Sequence, residues 1–101
     1  MTSVPTTKTR DFQSLSDQLR SFLKTELVNL AVSKIDIEDG LDHDGTEVIN
    51  VVVRHKLINK PVDFKALFGA DGRARDLAWK LGERRFVHVR HILNKNQKLA
   101  A

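Results

Sequence analysis

The run Glu47-Val48-Ile49-Asn50-Val51-Val52-Val53-Arg54 decides the fold of this chain of 101 residues. Most of its residues are β-branched, and such residues favour extended backbone. Side chains alternate between the two faces of a strand. The run therefore predicts a strand with Ile49, Val51 and Val53 toward a core, and with Asn50, Val52 and Arg54 on the opposite face.

Two further segments alternate in the same way, one on each side of this strand. Residues 33–38, Ser-Lys-Ile-Asp-Ile-Glu, alternate polar and apolar side chains. The segment 39–45 that follows is dense in Asp and Gly, which is typical of a turn. We therefore expect an antiparallel hairpin with an acidic loop. Residues 85–92, Arg-Phe-Val-His-Val-Arg-His-Ile, predict a third strand.

The remaining periodic segments predict helices. The first begins between Arg10 and Ser16, because apolar residues recur there at steps of three and four. Later in the chain, Pro61 suits the first position of a short helix that stops at Gly69. Asp71 is a candidate cap for another helix, which Gly82 ends. The order α-β-β-α-α-β predicts an α+β two-layer sandwich, a three-stranded sheet with helices on one face.

The composition favours one domain. We expect a disordered tail over residues 1–9, a single α+β domain over 10–93 and a frayed C-terminal tail over 94–101. The chain has no cysteine, which excludes disulfides and fits a reducing compartment. Its first residues lack the apolar core of a secretory signal, and no apolar run approaches the ~20 residues of a membrane span. These features predict a cytoplasmic protein without a membrane partner.

Charge divides the chain into two parts. Residues 36–47 contain six acids and no Lys or Arg. Residues 54–101 contain twelve Lys or Arg and four acids, a net charge of +8, whereas residues 1–53 carry a net charge of −4. Such a division produces a dipolar field that selects partners by sign.

No metal site, cofactor site or catalytic arrangement is predicted. The acidic loop lacks the spacing of a calcium-binding EF-hand, whichever of Asp36 or Asp42 is taken as its first ligand. His88 and His91 are three residues apart on a strand and point to opposite faces. The sequence contains neither a Walker loop nor a nucleophile elbow. We therefore expect a protein without enzymatic activity.

Residues 69–72, Gly-Ala-Asp-Gly, join the two predicted short helices. With the order of the elements, this run resembles the type II KH family of RNA-binding domains. The resemblance implies that Gly69 and Gly72 form a loop that approaches the nucleic-acid backbone. It covers the chain from about Asp11 to Ile92, but Ala70 and Asp71 stand where that family usually has a basic residue. The chain is also similar to small bacterial proteins that have a Gly-Glu-x-Arg-Phe run, here residues 82–86, before their final strand.

The final strand leaves two possibilities for Phe86. If Val87 and Val89 face the helices, then Phe86, His88 and Arg90 lie on the open face of the sheet beside Asn50 and Arg54. If Phe86 points into the core, that surface does not exist. Trp79 is expected at the edge of the core, about half buried.

The leading functional hypothesis is a binding module for RNA or another polyanion, since clustered basic residues attract phosphate. The alternative is a domain that binds a protein partner or another copy of itself. The predicted nucleic-acid contacts are Arg54, Lys65, Gly69, Gly72, Arg73, Arg75, Arg84, Arg85, Phe86 and Arg90.

Overall fold

The computed structural model describes the backbone of residues 4–100 and the side chains of residues 12–100. Its helices and strands confirm an α+β domain with a three-stranded sheet. In chain order they are α1 (Val4–Glu26), β1 (Val32–Leu41), β2 (Glu47–His55), α2 (Phe64–Lys80) and β3 (Phe86–Ile92). A short 3-10 turn, Val28–Leu30, links α1 to β1. Neither helix in the described part of the chain has the length and apolarity to cross a bilayer.

The sheet has the strand order β1-β2-β3, so the predicted hairpin forms two of its three strands. β1 and β2 are antiparallel, with Ile37 opposite Val51. β3 lies parallel to β2 on the other side, with Val87 opposite Ile49. Because parallel neighbours need a crossover, α2 carries the chain from the end of β2 back to the start of β3.

Both helices pack on one face of the sheet, and no element of the described chain covers the other face. The core consists of the inward residues of the strands and the apolar stripes of the helices. Ile49, Val51 and Val53 are at most 1% exposed, as the alternation in β2 predicts. Leu19 and Leu23 of α1 are fully buried against them. Burial of a side chain of this size contributes about 1.5 to 3 kcal/mol.

The two short helices expected around residues 69–72 are one continuous helix. α2 runs through Gly69 and Gly72 without interruption, and its N-terminal cap is Asp63, whose carboxylate accepts from the backbone N–H of Lys65 at 2.9 Å. Gly82, which has a positive φ of 94°, follows the C-terminal end of the helix. Ala70, Asp71 and Ala74 are buried on its inner face, and burial of these positions outweighs the weak helix preference of glycine.

Both ends of the chain contain helical structure or hydrogen bonds that the sequence does not predict. α1 begins at Val4, so residues 4–9 of the expected tail are helical, and Pro5 lies in the first turn, where a proline is tolerated. Residues 1–3 of that tail lie outside the described residues. The C-terminal segment is hydrogen bonded to the loop before α2: Val62 N–H donates to Lys98 O and Ala100 N–H donates to Val62 O, each at 2.9 Å. The Gln97 side chain also accepts from Ile58 N–H at 2.8 Å.

Candidate nucleic-acid interface on the open sheet face

The strand register arranges the open face of the sheet in four transverse rows. Residues opposite each other on neighbouring strands share a face, so the two registers together define each row. From the hairpin end of the sheet, the rows are Gly40-Val48-Phe86, Glu38-Asn50-His88, Asp36-Val52-Arg90 and Lys34-Arg54-Ile92.

Of the two alternatives for Phe86, the structure has the exposed one. Phe86 is 54% exposed, while Val87 is 2% exposed and faces the helices. His88 and Arg90 are exposed beside it, and the rings of Phe86 and His88 lie 6.3 Å apart. Because Arg54 shares this face, five predicted residues of the surface, Asn50, Arg54, Phe86, His88 and Arg90, do lie together.

A second cationic-aromatic cluster adjoins Phe86 at the end of α2. The guanidinium of Arg75 lies over the Phe86 ring, 4.9 Å from its centroid, and its Nε donates to Val87 O at 2.8 Å. The guanidinium of Arg84 lies 4.0 Å over the ring of Trp79. Trp79 is 60% exposed, somewhat more than expected. These pairs give the face an edge on which cations and aromatic rings alternate.

Other predicted contacts lie elsewhere or have protein partners. Arg73 forms an ion pair with Glu26 of α1 in the helical layer. Lys65 is exposed in the first turn of α2, which belongs to the same layer. The backbone N–H groups of Gly69 and Gly72 lie inside α2, where intrahelical hydrogen bonds occupy them. The physical reason for expecting phosphate contacts at these two glycines is therefore removed.

Arg85 is held between two acids. It forms ion pairs with Glu83 and with Asp39 of β1, and its side chain is 15% exposed. The hydrogen bond with Glu83 is the main cause that raises the pKa of Arg85, and the same bond lowers the pKa of Glu83. Arg85 therefore stabilises the hairpin end of the sheet. Its positive charge is neutralised by these two carboxylates, so it attracts a phosphate only weakly.

The sequence did not indicate a buried hydrogen-bond chain on the covered face. His55 Nδ1 lies 2.7 Å from Leu30 O, His55 Nε2 lies 2.8 Å from His91 Nδ1, and His91 Nε2 lies 2.7 Å from Asp71 Oδ1. The side chains of His91 and Asp71 are 7% and 5% exposed. Burial is the main cause that lowers the pKa of His55. The chain joins β2, β3 and α2 to the turn before β1.

The proton content of this chain follows from its acceptors. Leu30 O can only accept, so His55 Nδ1 carries a proton. Each of the other two links contains one proton, which makes three protons on two imidazoles and one carboxyl group. The group is then electrically neutral with every link formed. Asp71 is therefore a structural partner of His91, where the sequence suggested a helix cap.

The acidic hairpin loop is organised by its own carboxylates. Asp42 Oδ1 accepts from the backbone N–H groups of Asp44 at 2.9 Å and Thr46 at 3.0 Å. Within the described residues, no three His, Asp or Glu side chains are grouped so as to hold a metal ion. The loop thus closes the β1-β2 hairpin, and its remaining negative charge lies at one end of the open face.

Comparison with known proteins identifies no relative: no protein-family model, no curated protein and no solved structure matches the chain significantly. The resemblance to type II KH domains stays a prediction. What the chain binds must be argued from the open face itself.

Proposed function

We propose that the open face of the sheet binds single-stranded nucleic acid, with RNA as the leading candidate. The observation that carries this proposal is the common exposure of Phe86, His88 and Arg90 on one uncovered surface. Proteins that bind single strands combine aromatic rings, on which bases stack, with cations that track the phosphates. This surface offers both.

The distribution of charge on this face predicts how a bound single-stranded nucleic acid is oriented. Arg54 of β2 and Arg90 of β3 lie in the two rows remote from the hairpin, with Lys34 of β1 opposite Arg54. Asp36 and Glu38 lie on β1. Phosphates are attracted to the first region and repelled by the second, so the backbone runs along β3 while its bases extend across the sheet toward β1.

The test is the affinity of the full chain for a fluorescently labelled oligouridylate of ~12 nucleotides, followed by anisotropy. About three phosphate contacts predict a loss of affinity of roughly twentyfold between about 50 and about 200 mM salt. Phe86→Ala removes a stacking ring and costs about 1 to 3 kcal/mol of binding free energy. Arg90→Glu reverses a phosphate contact and weakens binding further.

Lys24→Glu is the matched control for Arg90→Glu. It makes the same change of charge on an exposed residue of α1, in the layer that covers the opposite face of the sheet. Binding should be almost unchanged in this variant. Affinity that does not depend on salt, or that falls equally in Arg90→Glu and Lys24→Glu, contradicts the proposed surface.

Protein interaction is the second candidate, and a pair of phenylalanines on α2 favours it. Phe64 and Phe68 are 39% and 65% exposed, and their rings stack with centroids 5.8 Å apart. Aromatic residues, phenylalanine among them, are enriched at protein interfaces. If this pair joins two copies of the chain, sedimentation equilibrium gives a mass that rises with concentration, and Phe68→Glu returns it to the monomer. A monomeric mass throughout excludes self-association by this pair.

A further inference from the structure

One row of the open face brings together three polar side chains from three strands. Glu38, Asn50 and His88 are opposite one another in the two registers. Together with Arg90 of the next row, they line a concavity of about 360 Å³. A single nucleobase fits in such a space, and Phe86 lies in the neighbouring row to stack on it.

Three polar side chains of this concavity are not used by the described part of the protein, although Asp39, which also lines it, is. Among the described residues, the side chains of Glu38, Asn50 and Arg90 have no hydrogen-bond or ion-pair partner. Neighbouring charges do have partners: Asp36 is paired with Lys34 at 3.7 Å, and Asp39 is paired with Arg85. Unused donors and acceptors on a rigid sheet are what a specific ligand requires.

Gly40 is part of this arrangement because it leaves room for Asn50. A Cβ atom at position 40 would collide with the amide nitrogen of Asn50, whose side chain extends across β1. The backbone of β1 at this point is extended, so the requirement for glycine is one of space. The missing side chain at position 40 thus allows the amide of Asn50 to lie over β1, on the same face of the sheet as Glu38.

We infer that this row reads a guanine base, with Glu38 as the acceptor of its Watson-Crick edge. The inference rests on the nucleic-acid binding proposed above. Guanine presents two adjacent donors, N1–H and the N2 amino group, which match the two oxygens of one carboxylate. Uracil, cytosine and adenine each present a single donor position on that edge. The Asn50 amide donates to guanine O6, and Arg90 contacts phosphate.

The experiment compares three oligouridylates of ~12 nucleotides that carry one central guanine, inosine or adenine. Inosine keeps N1–H and O6 but lacks the N2 amino group. A bidentate base contact predicts that the guanine oligomer binds about tenfold more tightly than the other two. Glu38→Gln should abolish this preference while leaving affinity for plain oligouridylate within about twofold.

Two variants on β1 separate base reading from charge. Asp36→Asn makes the same change of charge as Glu38→Gln on the same strand and face, and it should keep the guanine preference. Gly40→Ala displaces the Asn50 amide and should reduce the preference without a change of charge. Retention of the full preference in both Glu38→Gln and Gly40→Ala would overturn the assignment of these residues.

The outcomes also distinguish guanine recognition from the single-strand binding on which it rests. Equal, salt-dependent binding of all three oligomers overturns guanine reading and leaves single-strand binding in place. Failure of every oligomer to bind at low salt overturns both. Tighter binding of the guanine oligomer in the native chain, lost in Glu38→Gln, supports both.

Discussion

The two faces of the sheet use their polar side chains in opposite ways. On the covered face, His55, His91 and Asp71 are bonded to one another, and each link of the chain is formed. On the open face, Glu38 and Asn50 have no partner among the described residues. Burial makes an unpaired polar group costly, whereas water satisfies it at no cost. The covered face therefore holds the fold together, and the open face is available to a ligand.

The largest expected effect comes from breaking the buried chain. Asp71→Ala leaves Nε2 of His91 buried without a hydrogen-bond partner, which should lower the free energy of unfolding by about 3 kcal/mol. Asp71→Asn should cost much less, because its amide can donate to His91 Nε2 while both histidines stay neutral. Urea denaturation of the two variants measures the difference.

Glu38→Ala on the open face is the control for Asp71→Ala. An exposed carboxylate without a partner should change the free energy of unfolding by less than about 0.5 kcal/mol. If Asp71→Ala is as mild as Glu38→Ala, then the two faces do not differ in the way described.

A smaller effect on stability is expected from a change of pH. At acid pH a further proton is added to the buried hydrogen-bond chain, in which each link already contains one. The pKa of His55 is lowered in the folded state by burial and by His91, against the opposing effects of Leu30 O and Asp71. The unfolded chain takes up this proton near its ordinary value of 6.5 and the folded chain does so only at lower pH. Stability from this group is therefore present above pH 6.5 and is lost as the pH falls below it.

Urea denaturation across this pH range measures the loss, and the exposed His43 and His88 provide the controls. His43→Gln and His88→Gln should keep the pH dependence of the native chain. Titration by NMR should place the pKa of His55 below 6.5. A His55 signal that titrates at or above this value contradicts the buried neutral state.

The smallest effect is expected where the two faces meet, at the outer edge of β3. Arg75→Ala removes the hydrogen bond to Val87 O and the cation over Phe86, and should cost about 1 kcal/mol of stability. Arg84→Ala removes the cation over the exposed Trp79 and an exposed hydrogen bond of 3.3 Å to Trp79 O, and should cost about 0.5 kcal/mol. Thermal unfolding of the two variants tests whether Arg75 supports the strand as well as the surface.

The site could be predicted from the sequence only in part. The alternation of residues in β3 correctly placed Phe86, His88 and Arg90 on the same face. It did not decide whether that face was the open one. The sequence did not group them with Glu38, because a strand register joins residues fifty positions apart that no local pattern relates. Arg73 and Arg85 carry the same charge as Arg90, yet their acidic partners lie on other elements.

The misreading of residues 69–72 has a similar physical cause. Glycine is a helix terminator in isolation, and two glycines around Asp71 favour a turn. In the folded chain, Asp71 meets His91 twenty residues later, while Ala70 and Ala74 pack against the core. Tertiary contacts of this strength override a local preference worth about 1 kcal/mol per glycine.

The sequence by itself determined the periodic elements, the two faces of each strand and the sign of charge along the chain, because each depends on neighbours within a few residues. Only the tertiary structure decided which face stayed open, which charges were neutralised and which polar groups were buried together. Those outcomes depend on strand register and helix packing, in which residues far apart in the chain satisfy or exclude one another.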